Sequence, residues 1–104
     1  MLFRSWSDKD ARLLEIVNRG EFSINGFRNR DLRALLFSTT GTEQEQKRRA
    51  SAVTRNIRLL RAHGLIRKVS GTHRYVVSDK GRRIITALLA ARQADVEQLT
   101  ALAA

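Results

Sequence analysis

A chain of 104 residues supports one domain with one modest core, and 42% hydrophobic with 29% charged residues argues against wholesale disorder. The absence of Cys excludes disulfides and Cys-based zinc sites; no stretch approaches the roughly 20 apolar residues that span a bilayer, and the first nine residues hold no signal-peptide core, so the expected location is cytoplasmic. Twenty Lys and Arg against ten Asp and Glu leave a net charge of +10, an excess that repels itself unless nucleic acid or an anionic membrane offsets it.

Pro is absent, so Gly and polar clusters punctuate the chain. A first helix is expected after Ser7, whose hydroxyl caps the first turn, with Asp8 and Asp10 at the positive end of the dipole. Leu13, Leu14 and Val17 share one face, Gly20 follows as a stop, and Trp6 is read as a lid on the core. Phe22 and Ile24 alternate with polar neighbours, which predicts a short strand over residues 21–25, ended by Gly26. A second helix is expected over residues 29–37, with Asn29 as cap and Leu32, Leu35 and Leu36 as its buried face.

Thr42 and Glu45 form a capping-box pattern that opens a long third helix, reaching to about His63. Gly64 supplies the left-handed residue beyond it, and Leu65 the apolar contact. Residues 65–69 and 74–78 are rich in β-branched residues and flank a Gly-containing tip, a hairpin pattern. Ser78 and Asp79 open a last helix that runs to the end of the chain, roughly 39 Å at ~1.5 Å per residue. Its broken apolar stripe includes Leu88, Leu89, Val96, Leu99 and Leu102, so its final turns either fray or pack on a second copy.

The third helix sorts its residues by face. Val53, Ile57 and Leu60 form an inward stripe, with Ala50 one turn earlier; Lys47, Arg48, Ser51, Arg55 and Arg58 point away. From Gln46 to Tyr75 there are nine Lys or Arg and no Asp or Glu. A merely solvated helix mixes signs, because Glu–Lys pairs four apart are mildly stabilising. Unpaired cations on one face fit phosphate, and the dominance of Arg suits bidentate contact to phosphate or guanine. His63 and His73, ten residues apart, make no metal-ligand spacing, and the scattered carboxylates Glu15, Asp31, Glu43, Glu45 and Asp95 offer no acid/base pair. No enzyme, cofactor or metal is expected.

Residues 51–66 resemble the recognition helix of winged helix-turn-helix regulators of the multiple-antibiotic-resistance and arsenic-repressor types. The matching features are Thr54-Arg55, Leu60, and Gly64-Leu65-Ile66 where helix meets wing. Tyr75-Val76-Val77-Ser78-Asp79-Lys80-Gly81 looks like their wing exit, and the resemblance covers roughly residues 29–90. It implies a mainly α domain, ordered helix-strand-helix-helix-hairpin-long helix, whose third helix enters the major groove of double-stranded DNA. Ser51, Arg55 and Arg58 would lie near base edges, with Thr54 beside them. Lys47, Arg48 and Arg49 would meet phosphate, and the wing, through Lys68, His73 and Arg74, the backbone or adjacent minor groove. The start of the second helix, at Asn29 and Arg30, is a further phosphate candidate.

The chain departs from this pattern in one place: the connector before the third helix exceeds the usual turn of 3–4 residues. A weaker resemblance, carried by residues 27–33 and 60–66, is to the C-terminal end of longer, uncharacterised bacterial proteins, and implies a targeting module. Three functions therefore stand side by side: duplex DNA binding as a transcription regulator or targeting module, interaction with an acidic protein, and binding of structured RNA. A homodimer through the last helix accompanies the first.

Overall fold

A computed structural model of the chain describes residues 8–103. The expected lid Trp6 and cap Ser7 lie outside the described residues. The elements are α1 (Asp8–Val17), α2 (Phe22–Asn25), α3 (Asn29–Leu36), α4 (Glu43–Ala62), β1 (Ile66–Lys68), β2 (Tyr75–Val77) and α5 (Asp79–Ala103). The chain is mainly helical, with one small antiparallel hairpin in which Ile66 faces Val77 and Lys68 faces Tyr75.

The core gathers one stripe from each long element. Leu14, Ile16 and Val17 from α1, Leu32 from α3, Val53 and Leu60 from α4 and Ile85 from α5 are fully buried, with Leu65 and Ile66 nearly so. Burying such a side chain contributes about 1.5–3 kcal/mol. The expected inward stripe Val53, Ile57 and Leu60 is therefore the one that packs, while Leu35 and Leu36 lie half-buried at its margin.

Residues 21–25 are not the strand that their alternation predicts. Phe22 to Asn25 form one helical turn, closed by Phe22 N–H to Arg19 O at 3.1 Å and Gly26 N–H to Phe22 O at 3.0 Å. Ile24, which alternation would bury, is 86% exposed. Strand pairing with β2 falls instead to Phe27, which exchanges two backbone hydrogen bonds of 2.8 Å with Tyr75. One turn satisfies its own backbone groups locally, whereas a strand needs an open edge along its length. Phe27 is fully buried, edge-on to Phe22 at 5.8 Å and stacked on Tyr75 at 6.1 Å.

Asn29 is not the cap of α3 but its first residue. Arg28 holds the cap position, and its backbone N–H donates to the Asp31 carboxylate at 2.7 Å. The Asn29 amide instead reaches α4, donating to Ala50 O at 3.2 Å and Thr54 Oγ1 at 3.0 Å. At α4 the capping box forms as its sequence requires. Glu45 N–H donates to Thr42 Oγ1 at 3.1 Å, and Thr42 N–H to Glu45 Oε1 at 3.4 Å. Gly64 ends the helix at φ 71°.

Ser78 joins three elements. Its hydroxyl donates to Gly64 O at 2.7 Å and accepts from Gly81 N–H at 2.9 Å, while its backbone N–H donates to Leu65 O at 3.0 Å. From there α5 runs 25 residues. Leu88 and Leu89 are its last apolar side chains against the core, and Arg92 pairs with Asp8. Beyond that pair Val96, Leu99 and Leu102 are 42%, 67% and 78% exposed. The radius of gyration is accordingly 15.0 Å, above the ~13 Å of a compact 100-residue domain. No described helix is long and apolar enough to cross a membrane.

Candidate nucleic-acid interface

Burial of Val53, Ile57 and Leu60 forces the opposite side of α4 outward, because the helical period fixes one face once the other is packed. Lys47, Arg48, Ser51, Thr54, Arg55, Arg58 and Arg61 are all exposed. The useful distinction among the cations is which of them already hold protein acceptors.

Several do. Arg49 donates to Ser38 O at 3.0 Å and Thr40 O at 2.6 Å, and pairs with Glu45 at 3.4 Å. Its side chain is only 22% exposed, so the residue expected to meet phosphate braces the long connector between α3 and α4. Arg74, expected at the hairpin tip, turns back to donate to Asn25 O at 3.1 Å. Lys47 pairs with Glu43 at 3.6 Å, one turn away and largely in solvent, a contact of little energetic weight. Arg82 holds Asn18, and Arg92 holds Asp8. The Thr54 hydroxyl donates to Ala50 O at 2.9 Å while accepting from Asn29, so it serves the α3–α4 junction.

The others do not. Among the described residues, the side chains of Arg28, Arg30, Arg48, Arg55, Arg58, Arg61, Arg67, Lys68 and His73 make no hydrogen bond or ion pair within the protein. Seven of them fall into two groups, the first joined by Ser51 and by Lys47 with its exposed Glu43 pair. Lys47, Arg48, Ser51 and Arg55 surround a shallow depression on the outer side of α4. Arg58 and Arg61 turn toward the hairpin, where with Arg28 and Arg30 of the α3 start and His73 of the tip they wall an open cleft of about 500 Å³. Arg67 and Lys68 continue the charge along β1.

The sequence places Ser51, Arg55 and Arg58 on a single surface, but the structure divides them between these two concavities. Arg28 and Arg61 did not emerge as site residues from the sequence. Arg61 was within reach, lying three residues after Arg58 and seven after Thr54 on the same helical side. Arg28 was not, because it meets the hairpin only through the non-local Phe27–Tyr75 bridge. Among the described residues no three His, Cys, Asp or Glu lie close enough together to hold a metal ion. Compared with protein-family models, curated proteins and solved structures, the chain finds no match.

Proposed function

We propose that this chain is a winged helix-turn-helix module that binds double-stranded DNA, with α4 as recognition helix and the β1–β2 hairpin as wing. The observation that carries the reading is the set of unengaged guanidinium groups along one exposed side of α4 and its neighbours, with no carboxylate between Gln46 and Tyr75. The major groove of B-DNA is about 12 Å wide and admits a single helix. Ser51 and Arg55 face base edges, and Arg48 and Lys68 meet the flanking phosphates. The task is regulation of transcription or the targeting of a larger machine. The reading includes a second copy packed along the end of α5, supported by the exposure of Val96, Leu99 and Leu102.

Selection of the full chain on random duplex DNA tests this. The expected result is an enriched motif, palindromic where two copies pair, with affinity falling steeply between roughly 50 and 200 mM salt. Arg55→Ala should relax preference at one base and weaken binding by about 1–3 kcal/mol. Failure to retain any duplex at low salt overturns the proposal.

A further inference from the structure

We propose that the cleft between the α3 start, α4 and the hairpin is a phosphate seat, and that Arg58 belongs to it and reads no base. The seat takes a phosphate oxyanion carried either on a nucleic-acid strand or on a free nucleotide. In its strand form this inference rests on the duplex reading above.

Three observations support it. The cleft of about 500 Å³ is walled from three separate elements by Arg28, Arg30, Arg58, Arg61 and His73, with Tyr75 beside them and no carboxylate. None of those five basic side chains donates to an acceptor among the described residues, whereas Arg49 and Arg74, a short distance away, are both engaged. The walls are also held in place independently of any ligand. The Asn29 amide ties the α3 start to α4, and the Phe27–Tyr75 bridge ties the same start to β2. Four guanidinium groups converging on one space repel one another, and in water that repulsion is tolerable only through screening. A phosphate between them replaces repulsion with charge-assisted, bidentate hydrogen bonds. Arg58 lines this space, while Arg55 lines the separate depression with Ser51, so the two arginines act on different parts of a bound polyanion.

The test uses the full chain with Arg58→Ala, Arg61→Ala and Arg55→Ala, and with Arg83→Ala as an exposed charge change on α5 outside the cleft. Thermal melts confirm that each variant folds. Anisotropy is read on the selected duplex and on a scrambled one across salt, and pyrophosphate and ATP are titrated by NMR. Arg58→Ala and Arg61→Ala should each weaken both duplexes by the same factor, about 10-fold, and lower the log–log salt slope by about one. Arg61→Lys, which keeps the charge but not the planar fork, should restore the salt slope and only part of the affinity.

Pyrophosphate or ATP should shift the signals of Arg28, Arg58 and His73 if the source is a free nucleotide. Their failure to do so, alongside uniform duplex losses, assigns the phosphate to a strand. If the free phosphates bind here and no duplex binds at all, the seat stands and the duplex reading falls. The seat is overturned, with the duplex reading intact, if Arg58→Ala weakens only the selected duplex. It is equally overturned if Arg61→Ala behaves as Arg83→Ala does and no free phosphate reaches the cleft.

Discussion

A methyl group added at Gly81 would sit 1.9 Å from the Leu65 carbonyl oxygen, closer than any side chain tolerates against backbone. The first turn of α5 therefore lies directly on the chain leaving α4, and only glycine allows it. Gly81→Ala should destabilise the fold by about 2 kcal/mol or more, since the clash is with main chain that cannot swing aside. Urea denaturation checks this; an unchanged midpoint would mean the two backbones do not touch. Arg49 offers a second contrast at this scale. Because it braces Ser38 and Thr40, Arg49→Ala should cost about 1 kcal/mol of stability and leave duplex affinity within about 2-fold of the parent. The opposite pattern is expected of Arg55→Ala. Residue type alone did not separate the two arginines. Both are cations on one helix, and what distinguishes them is a set of connector carbonyls whose position no local pattern specifies.

At the scale of elements, periodicity and capping carried most of the information. The α4 start, its inward stripe, its Gly64 stop and the Ser78 opening of α5 follow from residues within a few positions of one another. Local chemistry of that kind does not depend on where the rest of the chain goes. Thr42→Ala removes the Oγ1 half of the capping box, while the backbone N–H of residue 42 still reaches Glu45, and should lower stability by about 1 kcal/mol, read as a drop in Tm of roughly 4–8 °C. The short α2 departs from the strand its alternation predicts for the converse reason. Four or five residues of alternating polarity fit a strand or a single helical turn equally well, and the choice was made by the pairing of Phe27 with Tyr75, which lie far apart in sequence. The cleft was hidden for the same reason: its walls come from three segments, and only α4 advertises itself as cationic along its length.

For the molecule as a whole, a net charge of +10 concentrated on α4, the α3 start and the hairpin sets the response to ions. Like charges crowded on one side raise the free energy of the folded state more than that of the expanded chain, and salt screens that penalty. Raising sodium chloride from about 20 to 200 mM should therefore raise Tm by a few degrees, while duplex affinity moves the other way. Scanning calorimetry at fixed pH checks the first trend; a Tm that falls with salt would show that attractive pairs dominate.

The threefold bonding of Ser78 also decides how the hairpin moves. With its hydroxyl fastened to the end of α4 and to the first turn of α5, and its amide to Leu65, the base of the hairpin is riveted to the body. Within the tip Thr72 is tied to Val69 O through its N–H at 3.1 Å and its hydroxyl at 2.8 Å, so the give expected of the hairpin lies at Gly71 and His73, on either side of it. Native-state hydrogen exchange should register this as a sharp boundary: the Val76 and Ser78 amides, which face β1 and its entry, open only with global unfolding, while those of Gly71 and His73 exchange orders of magnitude sooner. A partner that meets the tip consequently finds a compliant fingertip on a stiff knuckle, able to adjust to local shape without loosening the joint behind it.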